Sequence, residues 1–168
     1  MDAGNEREGT PVNHPTTVER TSRRELVTTR TFNAPARLVF RAWTTPELFQ
    51  RWWVPASFGM TLLSCELDAR TGGKYRLVFR HPAAPEPIAF FGTYLDVTPH
   101  SRLAWTNEEG GESGQVTTVT FEEHGGRTRL VVHDLDPSKE ALDEAIASGA
   151  TGALPEQFGQ LDGLLVTL

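Results

Sequence analysis

Thr44–Pro55 reads TTPELFQRWWVP, and the rest of the chain has to be arranged around it. Pro46 follows two threonines and is followed by Glu47, which is a helix start: a hydroxyl cap, proline in the first turn and an early acid. The helix is expected to run from Pro46 to about Trp52. Val54-Pro55 stops it, because a residue before proline is pushed out of the helical region. Trp52 and Trp53 therefore sit side by side at its end, half of the chain's four tryptophans. Consecutive helical residues do not share a face. One ring is expected in a core and the other needs a second apolar place, such as a pocket. Trp53 leads directly into the exit loop that holds Phe58, so the expectation is Trp52 in the core and Trp53 at a mouth.

On the N-terminal side, Asn33-Ala34-Pro35 is another cap-and-proline start and predicts a helix over 35–43. Before it, RRELVTTRTF (23–32) has the β-branched and aromatic content of a strand. Met1–Ser22 shows no periodicity and reads as a flexible tail, leaving 23–168 as one domain. On the C-terminal side, strands are expected at 61–68 and 74–80 around the turn Thr71-Gly72-Gly73. In the second of these, Tyr75, Leu77 and Phe79 share one face and Lys74, Arg76 and Arg80 the other. Further strands are expected at 88–97, 102–106, 115–122 and 127–134. Asp136-Pro137 then starts a helix. Leu154, Phe158, Leu161 and Leu165 form a helical stripe to the end, with a break or kink expected between Gly149 and Pro155.

Composition narrows the function. The net charge is −6 and the charges are interspersed. The basic stripe of a nucleic-acid binder is missing. The single cysteine, Cys65, excludes an internal disulfide and a cysteine-rich metal site. No apolar run is long enough to span a membrane and no signal-peptide core is visible, so a cytoplasmic protein is expected.

The order is one strand, two short helices, six strands and a long helix. That is an α+β chain in which a curved seven-stranded antiparallel sheet wraps around the last helix. It resembles the helix-grip fold of the SRPBCC superfamily, which includes START domains, polyketide cyclases and birch-pollen-allergen-like proteins. Within that superfamily it is most similar to the group named for activators of the heat-shock chaperone ATPase. The segments that carry the resemblance are TFNAPARLVFRAW (31–43), PELFQRWWVP (46–55), DARTGGKYRLVF (68–79), FGTYLDV (91–97) and TTVTFEEHGGRTRL (117–130). Val54 stands where the group usually has glycine, and Ala153-Leu154 where it usually has Gly-Trp.

The resemblance implies a cavity between the sheet and the last helix that takes a small apolar, aromatic or lipid-like ligand. Trp53, Phe58, Tyr75, Phe79, Phe91 (or its neighbour Phe90), Trp105, Phe121 and Phe158 are the residues expected to line it. His133, at a strand end near the rim, is the one histidine expected within reach of a ligand. His14 falls in the tail, and His81, His100 and His124 fall in turns. Glu66 becomes a buried acid with a raised pKa only if its face is the concave one. No catalytic set, metal site or cofactor motif is identifiable. A cyclase- or hydratase-type enzyme using the same cavity, and a co-chaperone-like module with a protein partner or homodimer, stay open beside simple binding.

Overall fold

The computed structural model describes residues 16–108, 114–147 and 153–168. Its strands are β1 (Thr17–Arg20), β2 (Glu25–Phe32), β3 (Thr61–Leu67), β4 (Lys74–Arg80), β5 (Ile88–Thr98), β6 (Arg102–Asn107), β7 (Gln115–His124) and β8 (Arg127–Leu135). The helices are α1 (Ala36–Thr44), α2 (Pro46–Phe49), α3 (Lys139–Ala147) and α4 (Leu154–Leu165), with a single 3-10 turn at Ala56–Phe58. The strands form one eight-stranded sheet in the order β1-β2-β8-β7-β6-β5-β4-β3, antiparallel throughout.

The expected α+β helix-grip architecture is present, with one strand more than the seven expected. The extra strand is β1, from a stretch read as tail. TVER has no apolar alternation, all four residues are exposed, and it is held by its ladder to β2 and by the Arg20–Asp143 ion pair to α3. The expected break between Gly149 and Pro155 falls largely outside the described residues. On its flanks α3 ends at Ala147, and α4 begins at Leu154 with Pro155 in its first turn.

Alternation builds the inner face. Leu26, Thr28, Arg30 and Phe32 of β2 are buried in alternation with half-exposed neighbours. Tyr75, Leu77 and Phe79 do the same in β4, and Thr117, Val119 and Phe121 in β7. Register shifts between Leu62 and Ser64 and between Tyr94 and Asp96 interrupt β3 and β5. Such bulges bend a strand and increase its twist, which is how an open sheet comes to wrap around a helix.

Of the three expected helix caps, Thr45 stands at the start of α2 without a side-chain cap bond, and other groups cap α1 and α3. The first N–H of α1, on Ala36, donates 2.9 Å to Glu123 of β7 rather than to a local side chain. Helix α3 starts three residues after Asp136, and Ser138 caps it by accepting from Ala141 N–H at 3.0 Å.

The helices lie against β2, β3, β7 and β8. Over that half the interior is closed: Phe32, Val39, Trp52, Val119, Leu130, Phe158 and Leu161 have no exposed surface. Its centre is Trp43 of α1. The Trp43 ring lies 4.8 Å from Trp52, 5.9 Å from Trp53, 5.9 Å from Trp105 and 6.4–6.5 Å from Phe49, Phe121 and Phe158. The aromatic hub is thus Trp43, nine residues before the tandem pair.

Candidate functional site

The tandem pair divides as its spacing predicts. Trp52 is fully buried and its indole N–H donates 3.0 Å to the carbonyl of Ala42. Trp53 is half-buried and stacks on Phe49 at 4.8 Å with the rings 24° apart. The loop that carries it is strapped to α4. Gln157 donates to the carbonyl of Trp53. Gln160 donates to the carbonyls of Trp52 and Val54, both at 2.8 Å, and accepts from Ala56 N–H at 2.8 Å. Glu156 accepts from the backbone and hydroxyl of Ser57, and these bonds to its charged form hold its carboxyl below the usual range.

Beyond the closed half, the inner face keeps accessible surface. Trp105 of β6 is half-buried, as are Leu62, Cys65 and Leu67 of β3, Phe90 of β5, Met60 and Leu154. Trp53 and Trp105 both pack on Trp43, each with its centroid 5.9 Å from it.

A row of polar side chains crosses the same face. The Tyr75 hydroxyl donates toward the carbonyl of Thr106 at 2.8 Å and Asn107 Oδ1 at 3.2 Å. The Asn107 amide donates 3.2 Å to Thr117 Oγ1, and the Thr117 hydroxyl donates 2.6 Å to Asp134 Oδ1. The row is possible because Trp105, Thr117 and Asp134 are register partners across β6, β7 and β8. Gly92 makes room for its first member: a Cβ there would lie 2.8 Å from the Tyr75 ring and 1.9 Å from the carbonyl of Thr106.

Asp134 is the chemical centre of this row. Burial pushes its carboxyl from the ordinary 3.8 up to about 6, and Asp136 adds to the rise, while Thr117 and His133 oppose it. Asp136 is itself buried, with Oδ2 unpartnered among the described residues and its carboxyl also shifted up by burial. The remaining inner-face charge, Arg30, is buried and paired with Asp162 of α4. Among the described residues no group of His, Cys, Asp and Glu is placed to hold a metal ion.

The expected site residues distribute as follows. Tyr75, Phe79, Phe121 and Phe158 are buried on the inner side, and Trp53 and Trp105 are half-buried there. Phe58 lies on the 3-10 turn, 42% exposed. Phe91 is a correction: it is the register partner of Arg76 and turns to the outer face, while Phe90 pairs with Leu77 and packs inward against Phe79 at 5.3 Å. His133 is another. It alternates out of phase with Val132 and Asp134, pairs with Val27, and meets Glu25 at 3.4 Å on the outer face. Glu66, partner of Arg76, is also outside. An outer hollow of about 510 Å³ is lined by Glu66, Lys74, Tyr75, Arg76, Phe91, Gly92 and Glu108.

Asp134, Thr117, Asn107 and Trp43 were not among the residues picked from sequence. The signal for Asp134 was its phase with Leu130 and Val132, the pattern that marks an inward side chain.

Residues 33–166 match the family described as Activator of Hsp90 ATPase homolog 1-like protein. The chain belongs to that family. Its fold is that of the SRPBCC superfamily, which serves ligand-binding and co-chaperone-like domains in general. Among solved structures, a protein from Rhodobacter sphaeroides is similar at 23% identity over 91% of this chain and 99% of that one, with a TM-score of 0.82. A Staphylococcus epidermidis protein is 26% identical over 90% and 94%, with a TM-score of 0.75. An AHSA1-like protein from Aeromonas hydrophila is 19% identical over 82% and 94%, with a TM-score of 0.65. No curated protein matches the chain. No described helix of this AHSA1-like chain is long and apolar enough to cross a membrane.

Proposed function

We propose that this AHSA1-like protein binds and carries a small, flat, largely apolar molecule on the open half of its concave face, between Trp53 and Trp105. The observation that carries this reading is the polar row ending at Asp134. A half-buried carboxyl raised by desolvation works against folding, and a purely structural interior gains nothing from it that an apolar side chain would not supply. Beside half-buried tryptophans, it fits a pocket built of apolar walls with a few placed polar groups.

The test is a titration of the isotope-labelled protein with small aromatic compounds, followed by NMR. The indole N–H signals of Trp53 and Trp105 should shift together with the amides of Thr117 and Asp134. Trp53→Ala should weaken binding about tenfold or more, since it removes one wall. Trp52→Ala should instead cost about 3–5 kcal/mol of stability, the usual effect of emptying a buried aromatic site. Shifts confined to the outer face would sink the reading in favour of a protein partner.

A second reading, an enzyme of cyclase or hydratase type, is favoured by one specific observation. A carboxyl titrating near neutrality in a water-poor site is suited to proton transfer. Turnover of a bound compound that is abolished in Asp134→Asn would establish it.

A further inference from the structure

The polar row has a direction. The Tyr75 hydroxyl donates to the carbonyl of Thr106, with Asn107 Oδ1 the more distant acceptor, while Asn107 donates to Thr117 and Thr117 donates to Asp134. From Asn107 onward the protons point along the row toward the carboxylate, so the row presents an acceptor at its end and leaves no hydroxyl proton of Thr117 to offer a ligand. Hydrogen bonds arranged head to tail polarise one another, which adds to the definition of that end. Among the described residues, Thr117 is the one side-chain donor recorded on Asp134.

The charges around it reinforce the sign. Just past the end of β8, Asp136 lies two residues further along, buried and with Oδ2 unpartnered among the described residues. On β2, the residue opposite Asp134 is Leu26, and the inner-face cation Arg30 is already engaged by Asp162 of α4. On β7, the residue opposite is the neutral Thr117. His133 is on the outer face with Glu25. Arg20 of β1 is paired with Asp143 of α3, which also takes Lys139. Arg24 is spent on the backbone carbonyl of Asp136 at 2.7 Å. Arg20 and a hydrogen bond from Gln115 still favour the charged form of Asp136, and His133 that of Asp134, but no described cation forms an ion pair with either carboxylate, and Trp105 lies on the same inner face as Asp134, two strands away. Tryptophan is the aromatic side chain that attracts a cation best.

We infer that the molecule taken up at this site is a small organic cation, with a flat apolar body against Trp53 and Trp105 and a protonated nitrogen directed at Asp134. This rests on the binding role proposed above and adds the charge of the ligand to it. An anionic ligand of the same shape meets repulsion from Asp134 and Asp136. A neutral one gains the apolar contacts alone.

A matched set of probes separates the two claims: 1-naphthylmethylamine, 1-naphthylmethanol and 1-naphthoic acid. Each is titrated near neutral pH into the full labelled chain and followed on the Trp53 and Trp105 indole signals. The amine should bind at least about tenfold more tightly than the alcohol, the difference expected of a charge-assisted hydrogen bond. The acid should bind most weakly. In Asp134→Asn the ratio of amine to alcohol affinity should fall toward one. If the alcohol binds but the amine is no tighter, or the acid is tightest, the cation inference is overturned and the binding role stands. An amine preference that survives in Asp134→Asn overturns it as well. If none of the three moves either indole signal, the binding role fails and this inference fails with it. The ranking in the unmodified protein decides the matter should the variant not fold.

Discussion

Asp134 places a free-energy cost in the middle of the sheet. Its carboxyl ionises at about 6 in the folded chain against an ordinary 3.8. Between those values the folded state holds more protons than the unfolded one, so stability falls as pH rises through that window and the penalty is complete above it. Asp134→Asn should therefore be more stable than the parent near pH 7, by about 1–3 kcal/mol. The advantage should shrink to about 0.5 kcal/mol near pH 4 and vanish below about pH 3, and chemical denaturation at pH 7 and pH 4 measures it. Asp136, shifted upward by burial in the same sense, remains in both proteins and drops out of the difference. Trp43 holds a second cost of this kind, since its indole N–H is buried without a partner among the described residues. Unsatisfied or desolvated polar groups in native proteins gather at working sites.

At the level of elements, the strongest local device is the strap between α4 and the loop after the tandem tryptophans. Gln160 alone satisfies two carbonyls and one N–H of that loop. Gln160→Ala should lose about 1–3 kcal/mol, since it leaves those backbone groups to water or to nothing. It should also raise the mobility of Trp53 more than that of Trp52, a contrast that indole relaxation measurements would show. None of this was legible in the sequence. Glu156, Gln157 and Gln160 read as the polar side of an amphipathic helix, and the backbone they hold lies about a hundred residues away. Helix caps misled for the same reason. Asn33 and Asp136 carry the right chemistry in the right place, yet Glu123 and Ser138 do the capping. Strand faces were legible where alternation was clean, as in β4 and β7. They were not legible at Phe90-Phe91, where two adjacent aromatics give no phase and only the pairing with Leu77 and Arg76 decides.

For the whole molecule, the sheet decides what is open and what is closed. The SRPBCC order of elements could be read from the chain because helices and strands alternate with clear turn signals. The eighth strand could not, because β1 is exposed at every residue and is specified only by its partner. That gives β1 a role its burial does not suggest. It covers the edge of β2, and Arg20 ties it to Asp143 of α3 at 2.7 Å. A chain lacking residues 1–20 should lose little stability but self-associate through the bared β2 edge, since unpaired strand edges template pairing with other chains. Sedimentation over a range of concentrations tests this. The position of the polar row was also beyond sequence reading: Thr117 and Asp134 meet only through the β7–β8 register, and Asn107 joins them from a third strand. The strap carries a last consequence, one of timing. With the Trp53 loop fastened to α4, the wall of the site has no hinge of its own. Under the proposed binding role, fraying of the C-terminal helix should pace exchange of the ligand, so variants that loosen α4 would speed both entry and escape while leaving the equilibrium between them nearly where it was.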